Sequence, residues 1–186
     1  MRVLFIILFM ILCILIIKYY KNNNKSIIIA IANIKDMNGI NGDVIFYQQL
    51  DDTVLININL SGLPKNAKLG FHIHEAGDIT DGCKSACSHF NPFNSIHGGP
   101  NSINRHVGDL GNIITDQNGI CKMKFTDHMI KLDDSISNII GRSIVIHEKT
   151  DDLGKEKNKE SLKTGNAGNR IACSVIGYSK MMFNKK

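Results

Sequence analysis

Thr53-Val54-Leu55-Ile56-Asn57-Ile58-Asn59-Leu60 puts Val54, Ile56, Ile58 and Leu60 on alternate positions, with asparagines between the last three. Successive side chains of a strand point to opposite faces, so this period of two describes a strand with one face against a core and the other toward water. Further runs are β-branched or alternating: Ile27 to Ile34, Asp43 to Gln48, Leu69 to Glu75, Ile120 to Thr126, Ser143 to Glu148 and Ile171 to Tyr178. Asn38-Gly39, Asn41-Gly42 and Asn118-Gly119 supply hairpin turns. Short strands at this spacing, with no convincing helix between them and no internal repeat, predict an all-β domain built as an antiparallel sandwich or barrel. Two segments are too long and polar for hairpins, Ala76 to Gly108 and Lys149 to Arg170, and long loops inside a compact domain are commonly functional.

Within the run Gly70-Phe71-His72-Ile73-His74-Glu75, two imidazoles two residues apart share a strand face and can point at one ion. His89, His97, His106 and His147 follow, with Asp109 three residues after His106, and only His128 stands outside this set. Neutral imidazole is the commonest metal ligand, and a histidine set with one carboxylate suits copper and zinc rather than calcium or magnesium. One His-x-His alone describes a half-exposed strand pair; six histidines in the company of Gly, Pro and Asp describe a metal site.

Gly-Phe-His-Ile-His-Glu at 70–75, His-Phe-Asn-Pro at 89–92, His-Gly-Gly-Pro at 97–100, Arg-His-Val-Gly-Asp-Leu-Gly-Asn at 105–112 and Gly-Asn-Ala-Gly-Asn-Arg-Ile-Ala-Cys at 165–173 stand in this order. The set closely resembles the copper/zinc superoxide dismutase family, from about Ile28 to about Ser179. The resemblance implies an eight-stranded antiparallel Greek-key barrel or sandwich, immunoglobulin-like, with two long functional loops. It also implies one copper and one zinc per chain, a homodimer, and superoxide as substrate.

By the same resemblance, His72, His74 and His147 are copper ligands, and His89 bridges copper and zinc. His97, His106 and Asp109 complete the zinc set. The division is chemically sensible: the zinc ligands crowd onto one loop as a closed four-coordinate site, whereas the copper set draws on separate strands and leaves an open face. Asp151 matches the carboxylate that links a copper histidine to a zinc histidine and fixes their tautomers. Arg170 matches the arginine that docks the anion beside copper, and Lys163 and Thr164 match the channel rim. Arg170 and His89 are the catalytic pair of this reading: superoxide reduces copper and leaves as oxygen while His89 is released and protonated, and a second superoxide leaves as hydrogen peroxide. An acidic pair commonly tunes the channel field in the family, but the matching positions here are Lys159 and Glu160, which predicts a more attractive field. Ile140, Gly141, Val175 and Ile176 match positions of the dimer interface.

Cys83 and Cys173 match the family's intrasubunit disulfide. Closing a loop of about 90 residues constrains the unfolded chain by roughly 4 to 5 kcal/mol in the chain-entropy model. Cys87 departs from the pattern, standing where the family usually has a small residue; it either competes for pairing or is a reactive thiol beside His89. Cys121 alternates within a strand and reads as a small buried hydrophobe, and Cys13 lies in the leader. A zinc-only structural protein would leave His72, His74 and His147 without a role. A copper-chaperone domain of this fold tends to lack some ligands, and a membrane-tethered metal store needs neither Arg170 nor Asp151. The full ligand set together with Arg170 therefore favours the enzyme.

The 186 residues make one ordinary domain after an apolar leader, and the formal charge of +5 comes from Lys and Arg interspersed with Asp and Glu, without the basic stripe of a nucleic-acid binder. Val3 to Ile17 is uninterrupted apolar sequence between Arg2 and Lys18-Tyr19-Tyr20-Lys21. Its length is long for a signal core and short for a membrane span, and small residues spaced as for cleavage occur only at Ala30 and Ala32, inside a strand. The leader is therefore expected to be a hydrophobic helix that anchors the chain to a membrane, or less readily a secretory signal; Lys18, Lys21 and Lys25 tip the orientation toward a cytoplasmic domain. The expected organisation is 1–25 as signal or anchor with a polar linker, 26–182 as the dismutase domain and 183–186 as a basic tail.

Overall fold

β3, Val54–Ser61, carries out the alternation that its sequence specifies: Val54, Ile56, Ile58 and Leu60 are buried while Asn59 and Ser61 face water. The computed structural model describes residues 6, 7, 9–14, 28–133 and 135–183. β3 lies in a five-stranded sheet with β1 (Ile29–Met37), β2 (Ile40–Gln48), β6 (Cys121–Asp127) and β9 (Gly177–Tyr178), ordered β6-β3-β2-β1-β9. The second sheet holds β5 (Asp109–Ile114), β4 (Lys68–His74), β7 (Ser143–His147) and β8 (Arg170–Val175), ordered β5-β4-β7-β8. Every pairing between these strands is antiparallel. Val44, Phe46, Ile56 and Ile58 from the first sheet share one core with Leu69, Phe71, Ile73, Ile144 and Ile146 from the second. Cys121 is fully buried in that core, as its alternation predicts, and burial pushes its thiol up to about 11.

β4 and β7 are buried on both faces, apart from Lys68 at the start of β4. Phe71, Ile73, Ile144 and Ile146 face the core between the sheets, whereas His72, His74 and His147 occupy the opposite face under residues 75–108 and 148–169. The long loops therefore act as a lid that lets a row of imidazoles be buried outside the apolar core.

The architecture is all-β with two antiparallel sheets, and the described residues form nine strands where eight are expected. The run 171–178 is two strands: at Ile176, which is fully buried, the chain leaves β8 and crosses to the other sheet, where Gly177 and Tyr178 pair with β1. β5 has no counterpart among the predicted strands, because Asp109, Gly111 and Asn112 are turn formers. Gly111 has φ +80°, and a Cβ there would meet Pro100 at 2.9 Å. Asn38-Gly39 makes the hairpin between β1 and β2, with φ of 55° and 78°. Asn41-Gly42 is not a turn: it lies inside β2 opposite Ser61 and Leu60, beside a bulge in β1 between Ile34 and Met37. Between β7 and β8 the loop includes one short helix, α1 (Ser161–Thr164).

Of the predicted leader helix, residues 6, 7 and 9–14 are described and helical; the remainder of Val3 to Ile17 and the linker lie outside the described residues, as do residues 184–186 of the basic tail. Among the described residues no helix is long and apolar enough to cross a membrane.

Candidate metal centre

β4 supplies His72 and His74, and β7 supplies His147 at its end. The long loop after β4 then folds back beside the strand: Glu75 N–H donates to Ser88 O at 2.8 Å, Phe90 N–H to Ile73 O at 2.9 Å, and Ile73 N–H to Gly108 O at 2.9 Å. This ladder sets His89 opposite His74 as an isolated bridge. Two groups of four buried side chains result, each with ligand atoms within 4.8 Å of one another: His72, His74, His89 and His147, and His89, His97, His106 and Asp109. His89 belongs to both groups.

The outer partners decide which nitrogens face inward. His74 Nδ1 donates to Cys87 O at 2.9 Å and His147 Nδ1 donates to Gly168 O at 3.1 Å, since a carbonyl can only accept. Their Nε2 atoms therefore carry lone pairs and stand 3.3 Å apart. His72 Nε2 donates to Asp151 Oδ2 at 2.8 Å, leaving Nδ1 buried and without a partner. His89 Nε2 is likewise buried and unpartnered. Four lone pairs facing one point repel unless a cation lies between them, so the donor set fits a metal ion. Burial holds these imidazoles neutral, with His72 lowered to about 3 and His147 to about 4. His74 and His89 are lowered as well, for the same reason first.

The second group has a carboxylate at its centre. Asp109 Oδ1 lies 2.9 Å from His89 Nδ1, 3.0 Å from His97 Nδ1 and 3.1 Å from His106 Nδ1. A tetrahedral ion with bonds of about 2.0–2.1 Å spaces its ligand atoms by about 3.3 Å, so these separations match a closed zinc-type site. The other oxygen, Oδ2, accepts the backbone N–H groups of His106 at 2.8 Å and Gly98 at 3.1 Å. Burial opposes ionisation of Asp109, but hydrogen bonds from His106 and His89 and the close approach of His97 outweigh it and hold the carboxyl well below the usual range. His97 Nδ1 makes no hydrogen bond despite its short distance to Asp109. Burial lowers the basicity of His97, yet the two flanking carboxylates, Asp109 and Asp151, win and raise it to about 9. A cation bound here would displace that proton.

Asp151 joins the two groups: its Oδ1 accepts from His97 Nε2 and its Oδ2 from His72 Nε2, each at 2.8 Å. Asn112 of β5 anchors it in both directions, donating to Asp151 O at 2.9 Å and accepting Asp151 N–H at 2.8 Å. The returning loop passes directly over this bridge at Gly165, φ +66°, where a Cβ would lie 1.9 Å from Asp151 Oδ1.

The first group opens on a cleft of about 580 Å3 lined by His74, His89, His147, Cys87, Lys84, Glu160, Lys163, Thr164 and Arg170, among others. Arg170 opens β8 directly opposite His147. Its Nη1 donates to Cys83 O at 2.6 Å and Nη2 donates to Cys87 O, so the guanidinium is fixed at the cleft wall. Cys83 is disulfide-bonded to Cys173, with Cα atoms 5.6 Å apart. Thr164 Oγ1 donates to Glu160 Oε1 at 2.7 Å on the rim. Lys159 is exposed and lies beside the lining residue Glu160 rather than in the cleft lining itself, whereas Lys84 lines the cleft.

A family model described as copper/zinc superoxide dismutase matches residues 40–176. A superoxide dismutase [Cu-Zn] of Paramecium bursaria Chlorella virus 1 is 60% identical over 144 residues, 77% of this chain and 76% of that protein. The chain belongs to the copper/zinc superoxide dismutase family. The corresponding protein of Saccharomyces cerevisiae is 50% identical over 151 residues, 81% of this chain and 97% of its own. A solved structure described as the clock protein EA4 superposes with a TM-score of 0.79 at 45% identity, covering 83% of this chain and 97% of that one.

Every residue singled out from the family motifs as a metal ligand lies in one of the two groups. Several supporting residues carry no local signal in the sequence. Arg105 is buried, pairs with Asp127 and donates to Asp109 O at 2.7 Å, which ties the start of β5 to the first sheet. Arg142 stacks 3.4 Å over the ring of Phe90, the neighbour of His89, and binds Glu75 at 2.9 Å. Of the family's interface positions, Ile176 is fully buried within the chain, while Ile140, Gly141 and Val175 retain exposure.

Cys87 is a free, exposed thiol with φ 64° and ψ −151°, a region occupied almost solely by glycine. Its carbonyl is held by two donors, His74 Nδ1 and Arg170 Nη2, which explains how the conformation persists. Cys87→Gly is therefore expected to keep the Cys83–Cys173 bridge and to raise stability by about 1–3 kcal/mol. Thermal unfolding and peptide mapping check this; a Cys83–Cys87 bridge in the parent protein would contradict the pairing.

Proposed function

We propose that this enzyme dismutates superoxide with His72, His74, His89 and His147 as copper ligands and His89, His97, His106 and Asp109 as zinc ligands. The observation that carries the reading is the pair of four-ligand groups sharing His89, only one of which opens on a cleft walled by a fixed arginine. Two superoxide ions and two protons give one oxygen and one hydrogen peroxide. When bound, copper supplies the one-electron couple that serves both ions, and zinc supplies a fixed charge next to His89. The chain supplies the rest. Arg170, held at the cleft wall by its bonds to the Cys83 and Cys87 carbonyls, orients the anion with N–H groups those bonds leave unused. Lys163 and Thr164 shape the rim, and Asp151 fixes the rings of His72 and His97. His89 Nε2, buried and unpartnered, is the atom at which a proton can be held for delivery to the product.

On this reading residues 26–182 form the dismutase domain, its two sheets the halves of a Greek-key barrel, and a homodimer forms through the surface around Ile140, Gly141 and Val175. The apolar run Val3 to Ile17 anchors it to a membrane, with Lys18, Lys21 and Lys25 favouring a cytoplasmic domain, and 183–186 is a basic tail. Superoxide consumption by the full chain loaded with zinc alone, against copper and zinc together, tests the function: activity that does not require copper would refute it.

Anion attraction gives a second measurement. Lys84→Glu is expected to slow turnover a few-fold at low ionic strength and to flatten its salt dependence, the difference fading near 1 M salt, where screening acts within about 3 Å. Lys159→Glu should leave the slope close to that of the parent. Arg170→Ala should cost about 10- to 100-fold, the scale of about 1.5–3 kcal/mol for a hydrogen bond to a charged group. Equal salt slopes for Lys84→Glu and the parent would remove Lys84 from the field.

A further inference from the structure

Three sulfur atoms meet behind the metal centre. Met37, the last residue of β1, places Sδ 3.6 Å from Cys83 Sγ and 3.8 Å from Cys173 Sγ, and accepts the backbone N–H of Cys173 at 3.2 Å. The hairpin imposes this position: the bulge after Ile34 redirects β1, and Asn38 in the turn donates through Nδ2 to Ile171 O at 2.8 Å, tying the tip to β8. Ala86 and Val145, both fully buried, complete the cluster. Met37 itself is half-buried and lines a second open cleft of about 780 Å3. Lys84, Gly168 and Arg170 line both this cleft and the one above the histidines, so the two clefts adjoin at Arg170.

We propose that Met37 is a peroxide-reactive site whose oxidation to the sulfoxide makes the Cys83–Cys173 disulfide easier to reduce. The Sδ lone pair attacks one oxygen of hydrogen peroxide, an S–O bond forms as the O–O bond breaks, and the second oxygen leaves as water with both protons. Sulfur is oxidised by two electrons and peroxide is reduced by two. The product is larger and polar, carries its oxygen on the sulfur that accepts Cys173 N–H, and abuts the fully buried Ala86 and Val145, so the contacts of Sδ with both cysteines and its hold on Cys173 N–H rearrange. The face of the disulfide that the thioether covers then opens to external thiols. Peroxide is the product of the proposed reaction, but in the test it is added from outside, so the result stands apart from whether the chain dismutates superoxide.

The metal-loaded full chain is treated with graded hydrogen peroxide, sulfoxides are located by peptide mass, and the disulfide is then reduced by dithiothreitol and followed by thiol alkylation. One added oxygen is expected at Met37 in step with Met181, which is 41% exposed, together with a several-fold faster reduction of the disulfide. Met37→Leu should reduce at the parent's rate before peroxide and show no acceleration after it. The proposal fails if Met37 stays a thioether when Met181 is fully oxidised. It fails equally if its sulfoxide leaves the reduction rate unchanged, or if Met37→Leu is accelerated like the parent.

Discussion

Replacing His147 by alanine is expected to abolish copper binding and superoxide turnover while zinc remains bound. His147 belongs to the group with His72, His74 and His89, and not to the group around Asp109. Its Nε2 faces His74 Nε2 at 3.3 Å and its Nδ1 is pinned to Gly168 O, so the imidazole points into the first group and touches nothing that belongs to the second alone. Deleting it leaves three nitrogens around an open face, and turnover should fall by more than the 10–100-fold that follows loss of an outer partner of a ligand. The zinc-type group keeps its four donor atoms and the spacing set by Asp109. Metal content by mass spectrometry and superoxide consumption measure the two consequences separately. Full turnover, or zinc lost along with copper, would show that the two groups are not divided as proposed.

How much of this was legible depends on whether the determinant is local. β3 could be read because Val54, Ile56, Ile58 and Leu60 recur at a strand's own period. β5 could not, because its residues answer to the metal group rather than to a strand: Asp109 is there as a donor, Gly111 for the approach of Pro100, and Asn112 to hold Asp151. Asn41-Gly42 has the composition of a turn and lies within a strand, since the bulge in β1 absorbs the extra residues and Asn38-Gly39 already closes the hairpin. The candidate ligands were legible through long motifs in fixed order, which place His97, His106 and Asp109 on one loop before any fold is known. Lys84, Arg105 and Met37 were not. Each works through a partner far away in the sequence, respectively the cleft wall at Arg170, the carboxylate of Asp127, and the two cysteines of the disulfide.

Asp151→Asn is expected to weaken copper binding about 10–100-fold and zinc binding by less, although Asp151 belongs to neither group of four. The carboxylate is 1% exposed. Burial opposes its charge, but hydrogen bonds from His72 and His97 outweigh that and lower it to about 2, so it is ionised at neutral pH. Its two oxygens do unequal work. Oδ1 accepts from His97 Nε2 at 2.8 Å and also from the backbone N–H of Leu153 at 2.7 Å, whereas Oδ2 accepts from His72 Nε2 alone among the contacts that hold the rings. An amide has one acceptor, and satisfying two donors at the Oδ1 position places it there. Its NH2 then faces His72 Nε2–H, donor against donor, and the imidazole relieves the clash by moving its proton to Nδ1. That nitrogen is the one His72 turns toward the other three histidines, so the proton blocks it as a ligand. His97 keeps its acceptor and loses only the charge beside it. Competition with chelators of graded affinity gives both metal constants, and nitrogen-correlated NMR of the imidazoles reports the tautomer of His72 directly. Copper affinity equal to that of the parent, or a larger loss for zinc than for copper, would show that Asp151 does not hold His72 in its ligating form.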